Sequence, residues 1–335
     1  MKAMTIKKYG KSPLEQAELP TPEVGEHDVL VEVYAASINP IDFKIRDGKV
    51  KMLLSYQMPL VLGNDFSGTV IQVGNKVSTF QVGDEVYGRP RKNRIGTFAE
   101  YLSVHEDDVS LKPDNLTFVE AASLPLVGLT TWQAFHDILQ LKPGQKILIH
   151  AGAGGVGTFA IQLAKEMGAY VATTASEKGH ELVSSLGADQ IINYKQQSFE
   201  DVLEGFDAVF DTLGGDSLNR SFQVLKSHGK IVSVSAVPNG RFAVENQMGY
   251  IKRILFTLVS RNIASLERKY NVDYHFLFMK PSGEQLKRIK KLVENKKIRP
   301  VIDKVFPLEE AQKAIQYVET GRAKGKVVLE VKKPL

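Results

Sequence analysis

Six residues, Gly152-Ala153-Gly154-Gly155-Val156-Gly157, satisfy the spacing G-x-G-x-x-G. The chemistry that spacing serves is capture of a pyrophosphate. The first glycine permits a tight turn, the second lets backbone approach the anion, and the third lets the following helix pack on its strand. Amide N–H groups at the helix start then face the phosphates. By itself the pattern is weak, but here it follows QKILIHAG, a continuous apolar strand, and opens a helix with no early charge. The next strand, YVATTAS, ends in Ser176, about 20 residues on, where an Asp or Glu would hold the ribose 2′-hydroxyl of NAD. Ser176, Lys178 and, after a further strand, Tyr194 offer two hydroxyls and a cation instead, which suits a 2′-phosphate. NADPH/NADP is therefore the expected cofactor. In the competing reading Lys178 is a solvated helix-start lysine and Glu177 replaces the missing acid.

These residues need a parallel sheet to position them. After Lys142-Pro143-Gly144, strand and helix patterns alternate: Val156–Met167, Tyr170–Ser176, Gly179–Leu186, Gln190–Asn193, Asp207–Asp211, Leu218–Leu225 and Lys230–Ser235. That alternation implies a parallel sheet with helices on both faces, with Gly168, Gly187 and Gly229 stopping three of the helices. The first third differs. DVLVEVYAAS alternates with period two, as a half-buried strand does, and SGTVIQVG, DEVYG and FAEYLSV follow between glycine turns. This region reads as an antiparallel, barrel-like β domain. The tail carries two amphipathic helices, one presenting Leu286, Ile289, Leu292 and Val293, the other Leu308, Ala311, Ile315 and Val318. Its last strand, GKVVLEV, alternates like those of the first third, so the tail returns to that domain and the parallel domain is an insertion.

With 335 residues, 43 Lys+Arg against 38 Asp+Glu and a net charge of +5, the chain is an ordinary globular sequence of two-domain length. Disorder, collagen and membrane bundles are excluded. There is no cysteine, so disulfides, thiolate metal sites and cysteine nucleophiles are excluded too. The charged N-terminus lacks the apolar core of a signal peptide, no apolar run reaches the ~20 residues of a membrane span, and a cytoplasmic location is expected.

AGAGGVGTFAIQLAK, LGADQIINY, FDTLGG and GKVVLEV resemble the medium-chain dehydrogenase/reductase superfamily over nearly the whole chain. ASINPIDFKIRDG, PLVLGNDFSGTV, GTFAEYLSV and ASLPLVGLTTW resemble its zinc-free quinone reductase branch. The resemblance implies an α/β protein with a GroES-like β-barrel domain split around a Rossmann domain. The expected boundaries are 1–122 and 280–335 for the first and 123–279 for the second, with the active site in the cleft between them. It puts Ala153, Gly155 and Val156 on the pyrophosphate, Thr130 near the nicotinamide ribose, Leu213 and Gly214 at the nicotinamide end, and Gly325-Lys326 closing the site from the tail. Zinc-dependent members place a Cys where Asn39 stands, a His-Glu pair where Asn64-Asp65 stands and a further Cys near Leu126. Their four-cysteine lobe is replaced by RPRKNRI, and the seven histidines show no ligand spacing, so no metal is expected.

Without zinc, the substrate must accept hydride unaided or through hydrogen bonds alone, as quinones and α,β-unsaturated carbonyls can. A CoA- or carrier-linked enoyl reductase is the rival reading. Asn39 and Asn64, at the former ligand positions, and Tyr56, a phenol in KVKMLLSYQMPL, are the candidate substrate contacts. Tyr56 also reads as a half-buried packing aromatic. Asp42 and Asp65 read as structural. A homodimer joined through NVDYHFLF at the sheet edge is expected. The basic clusters Arg89–Arg94 and Lys287–Arg299 lack interleaved aromatics, so nucleic acid is not expected as a partner, although some relatives bind RNA. Tyr250–Leu266 is apolar yet basic, and reads as a membrane-surface helix, a substrate lid or a dimer contact.

Overall fold

The computed structural model describes residues 1–333. In chain order the first elements are β1 (Lys2–Ile6), β2 (Glu15–Glu18), β3 (Asp28–Ile38), α1 (Pro40–Arg46), β4 (Leu60–Val61), β5 (Asp65–Val73) and β6 (Glu85–Gly88). After them come β7 (Tyr101–His105), β8 (Val109–Leu111), α2 (Phe118–Ala122) and α3 (Pro125–Trp132). The middle of the chain forms β9 (Lys146–Ile149), α4 (Gly155–Glu166), β10 (Tyr170–Ala175), α5 (Glu177–Ser185), β11 (Gln190–Asn193), β12 (Phe206–Asp211), α6 (Gly215–Ser221) and β13 (Leu225–Ser233). It continues through α7 (Gly240–Glu245), α8 (Tyr250–Val259), α9 (Arg261–Tyr270) and β14 (Asp273–Phe276). The tail adds α10 (Gly283–Glu294), β15 (Ile302–Pro307), α11 (Ala311–Glu319) and β16 (Lys326–Glu330).

Two compact units result. One comprises Met1–Leu129 with the chain from Lys280 onward, the other Thr130–Met279. The first crossing falls within α3 rather than after residue 122. In the first unit a sheet runs β15-β16-β3-β5-β6-β8, with β7 also on β3, and a smaller one runs β2-β1-β4. All these pairings are antiparallel except β15 with β16. The tail strand lies where its pattern puts it, with Val327 opposite Ile38 and Glu330 opposite Ala35.

β3 is not the half-buried strand its alternation suggests. It is flanked by β16, β5 and β7, and its acid Asp28 is buried because Arg94 grips both carboxylate oxygens, at 2.9 and 2.7 Å. The paired guanidinium also holds the Asp28 carboxyl below the usual carboxylate range. A buried cation, Arg46, ties the tail to the N-terminal third. Arg46 at the end of α1 donates to Glu319 of α11 at 2.7 and 3.3 Å and to Asp47 at 2.8 and 2.9 Å.

The second unit is one parallel sheet ordered β11-β10-β9-β12-β13-β14. Its first strand is central and the order reverses beside it, the doubly wound arrangement in which ligands bind beyond the carboxyl ends of the strands. α4 buries Phe159, Ala160, Ile161, Leu163 and Ala164. Gly168 and Gly187, both at positive φ, follow α4 and α5 as helix stops do. Gly229 is no helix stop: α6 ends at Ser221, and Gly229 lies inside β13. Among the described residues β14 pairs only with β13 and forms the sheet's edge.

Replacing Arg46 by Met leaves the largely covered Asp47 carboxylate with Lys49, at 3.1 Å, as its remaining cation. Urea unfolding should show a loss of about 2 kcal/mol, the scale for removing hydrogen bonds to a charged group that keeps another partner.

Candidate active site

In the second unit the glycine turn leaves no room for a side chain at Gly152 or Gly157. A Cβ on Gly152 would meet Thr173 Oγ1 at 2.1 Å, and one on Gly157 would meet the Ala151 carbonyl oxygen at 2.4 Å. These contacts hold the start of α4 against the loop, and the first N–H groups of a helix have no intrahelical acceptor. Gly154 caps α4, and Gly155 and Val156 form its first turn. The loop is tied to the next strand: Ala151 N–H donates to Thr174 Oγ1 at 3.0 Å and Gly152 N–H to the Thr174 carbonyl at 3.0 Å. Ala153 rests on the first turn of α5, where a Cβ on Gly179 would stand 2.9 Å from its own Cβ.

Ser176, the residue that starts α5, follows β10 directly. Ala175 lies opposite Asn193 in the β10–β11 register, so Tyr194 emerges beside Ser176 at the same end of the sheet. Tyr194 is 60% exposed, and Lys178 is exposed in the first turn of α5. The turn after β12 is built by Asp211, which sequence reasoning passed over. Its buried carboxylate accepts from Leu213 N–H at 3.1 Å, Gly214 N–H at 2.9 Å and Ser233 Oγ at 2.5 Å. That leaves Leu213 exposed, while Gly214 at φ 71 has no room for a Cβ beside the Ser235 carbonyl oxygen at 2.9 Å. An acid closing the apolar strand FDAVFD just before a Gly-Gly pair was the signal. Thr130 is buried in α3.

These features fit a dinucleotide phosphate: a turn with no room for a side chain at Gly152 and Gly157, helix-start amides, and two hydroxyls and an ammonium gathered at one end of the sheet.

The candidates in the first unit meet a different fate. Asn39, Asp42, Asn64, Asp65, Arg89 and Lys326 are all buried and bonded to one another. Asp65 Oδ2 accepts from Ser37 Oγ at 2.7 Å, Asn39 Nδ2 at 2.8 Å and Lys326 Nζ at 3.4 Å, and Oδ1 accepts from Leu126 N–H at 2.8 Å. Lys326 also donates to Asn39 Oδ1 at 2.5 Å. Asp42 accepts from Asn39 N–H and Asn64 Nδ2, both at 2.7 Å, and Arg89 donates to Asn64 Oδ1 at 3.1 Å.

Asn39 and Asn64, expected against a substrate, are thus enclosed with both ends of each amide occupied. Lys326, expected to close a cofactor site, turns its ammonium into this network. Gly325 before it is held against Val301, whose carbonyl oxygen a Cβ would approach to 2.4 Å. Tyr56 is half-buried and its hydroxyl donates to the Lys92 carbonyl at 2.6 Å, so its proton joins two loops. Burial pushes that phenol up to about 12. The packing role is the one its contacts display.

Arg89 could have been singled out within Arg89–Arg94, but its neighbours hid it. Arg91 pairs with Asp108 and Arg94 with Asp28, so this cluster is not a bare basic surface. Among the described residues no group of three His, Cys, Asp or Glu side chains is placed to hold a metal.

Burial pushes Asp42 from 3.8 up to about 7, against the pull of its Asn64 and Asn39 hydrogen bonds. Burial likewise lowers Lys326 and Arg89.

Fold and site together define a dinucleotide-dependent enzyme. The family described as "Alcohol dehydrogenase GroES-like domain" matches residues 25–114, and "Zinc-binding dehydrogenase" matches 186–329. The chain is 36% identical to the mitochondrial NAD(P)H oxidoreductase RTN4IP1 of Mus musculus, over 99% of its own length and 89% of the relative's. It is 34% identical to the chloroplastic NADPH-dependent alkenal/one oxidoreductase of Arabidopsis thaliana, over 98% and 79%. A quinone oxidoreductase structure from Coxiella burnetii superposes with a TM-score of 0.84 at 37% identity, covering 99% of each chain. The chain belongs to the medium-chain dehydrogenase/reductase superfamily, in its quinone oxidoreductase branch, and is an oxidoreductase with a GroES-like and a Rossmann-type domain.

The raised carboxyl gives a pH signature with a definite sign. An acid whose folded pKa exceeds its unfolded one keeps a native-state proton that the unfolded chain has lost. Its contribution is therefore present below about pH 4 and lost as pH climbs through about 7. The span from 3.8 to about 7 corresponds to roughly 4 kcal/mol. Urea unfolding across this range should show wild type losing stability relative to Asp42→Asn. Parallel pH profiles would contradict the assignment.

Proposed function

We propose that the protein reduces quinones or α,β-unsaturated carbonyl compounds with NADPH, without a catalytic metal. The observation that carries the cofactor reading is the gathering of Ser176, Lys178 and Tyr194 at the carboxyl ends of β10 and β11, beside a turn closed to side chains at Gly152 and Gly157. In this reading the amides of Gly152–Gly157 hold the pyrophosphate. Ser176, Lys178 and Tyr194 hold the 2′-phosphate, and Leu213, Gly214 and Thr130 serve the nicotinamide end. Bound NADPH would supply the hydride that reduces the acceptor.

The metal-free reading is supported by the ammonium of Lys326. It already sits on Asn39 and Asp65, the positions that hold zinc ligands in the zinc-dependent members, so the cationic place there is taken by a side chain. Asn39 and Asn64 act here as positioning residues. Tyr56 and Asp42 are bonded internally, so in this reading water or a nearby hydroxyl supplies the proton that completes reduction. The printed names of the relatives supply both acceptor classes, alkenals and enones in one and quinones in another. A homodimer through the β14 edge belongs to the proposal and is supported by that strand's single pairing partner. So does a cytoplasmic location, which only the absence of cysteine supports; the mouse relative is by name mitochondrial.

KM should be lower for NADPH than for NADH, and Lys178→Glu should raise KM for NADPH about tenfold or more, the scale of one lost charge-assisted contact. KM for NADH should hardly change. A wild-type preference for NADH would remove the 2′-phosphate assignment.

With NADPH absorbance as the readout, quinones, alkenals and enones should be turned over at rates unaffected by a chelator. Turnover confined to enoyl-CoA esters would favour the rival acceptor class, and chelator sensitivity would refute the metal-free reading.

A further inference from the structure

α8 is built inside out. Tyr250, Ile251, Ile254, Leu255, Leu258 and Val259 repeat at i, i+1, i+4, i+5, i+8 and i+9, which makes one continuous helical face. In a helix packed on a core that stripe would face inward. Here all six side chains are exposed, Tyr250 by 77% and Ile251 by 82%. Phe256, which falls off the stripe, is the buried residue of α8 and lies against Phe242 of α7. The neighbouring helix behaves normally: α9 buries Ile263 in the core beneath β13 and β14. The segment from Tyr250 is therefore two devices joined at Ser260, one packed and one facing water.

The charges beside the stripe indicate what covers it. Between Gly240 and Asn262 stand Arg241, Lys252, Arg253 and Arg261 against the single acid Glu245. Arg241 is paired with Glu267 and Asp273. Lys252 and Arg253 are exposed on α8 itself, which has no acid. A second copy seated on this stripe by two-fold symmetry would bring the same basic flank onto itself. An anionic surface would meet it with opposite charge. Ten residues are too few to cross a bilayer, and among the described residues no helix is long and apolar enough to do so. A short helix with an apolar face and a basic flank lies in the interface plane.

We propose that α8 is an interfacial helix that docks the protein on an anionic lipid surface. Tyr250, Ile251, Ile254, Leu255, Leu258 and Val259 enter the acyl boundary, and Lys252 and Arg253 meet the headgroups. The proposal does not depend on the identity of the acceptor. It also leaves β14 free to join two copies.

Co-sedimentation of the full chain with vesicles of phosphatidylglycerol mixed with phosphatidylcholine tests it. Wild type should bind these vesicles and hardly bind pure phosphatidylcholine. Lys252→Gln with Arg253→Gln should weaken partitioning roughly 25-fold, about fivefold per charge. Ile251→Glu with Leu258→Glu, both at exposed positions, should abolish binding while NADPH consumption with a water-soluble quinone is unchanged. Absence of wild-type binding to the anionic vesicles, or equal binding by Ile251→Glu/Leu258→Glu, overturns the proposal. So does light scattering that shows a dimer split by that double variant, because the stripe would then belong to a second copy.

Discussion

A buried ammonium must have its charge answered within hydrogen-bonding reach, and Lys326 meets that requirement only by drawing three distant segments together. Its Nζ touches the Ile38 carbonyl and Asn39 Oδ1 at the end of β3, and Asp65 Oδ2 at the start of β5. β16 comes from the last residues of the chain, yet it cannot be placed elsewhere without stranding this cation. The split of the first unit around the inserted one is thus secured by a single side chain as well as by the β16–β3 ladder. The same contact sets the local chemistry. Asp65 is fully engaged by Ser37, Asn39, Lys326 and the Leu126 amide, and Asp42 by two amides. No carboxylate of the network is left to serve as a base.

The second unit solves the opposite problem with the opposite means. Where the first unit spends ionisable side chains on its own interior, the second removes side chains so that backbone can be reached. A Cβ at Gly152 or Gly157 would collide with Thr173 or with the Ala151 carbonyl, and the turn after β12 is shaped by a carboxylate that faces its amides. In the proposed reading, binding then falls to main-chain N–H groups and to a few exposed tips. A reductase whose hydride comes from a bound carrier needs little more from the protein than position and field.

The sequence carried this second strategy plainly, because glycine spacing and strand–helix alternation are local patterns that tertiary contacts seldom override. The alternation of strands with helices and the return of the tail followed from them, whereas α5 and α6 begin two or three residues before the sequence pattern starts them. What it hid was pairing. Asp28 looked solvent-facing because acids alternate with aliphatics in β3, and its burial rests on Arg94, 66 positions away, with Ser103 and the Gly25 amide beside it. Arg89 looked like part of a basic surface run, and Asn39 and Asn64 looked like free amides. Each is defined by partners that spacing does not show. Gly229 read as a helix stop because glycine serves both helix ends and strands, and the β13 register decided between them. α8 was legible as apolar and basic, but not as reversed, because periodicity gives a face without saying which way it points.

Two carboxylates, Asp42 and Asp65, and two cations, Arg89 and Lys326, share one interior, and each carries a large desolvation cost. Replacing such a set by well-packed apolar residues is often neutral or stabilising, whereas breaking it by one member is costly. Net stability therefore explains the network poorly, and its connectivity explains it better. Asn39 is fixed at both amide atoms just where β3 turns into α1, and Asn64 just where β5 begins. Apolar replacements would fill the same volume, but nothing directional would hold that turn. The cluster also balances in charge only when both acids are ionised, and a proton on Asp42 leaves one positive charge uncompensated. Burial pushes Asp42 and Lys326 alike toward neutrality, so what holds charge in this interior is the set of hydrogen bonds that each group receives from the others.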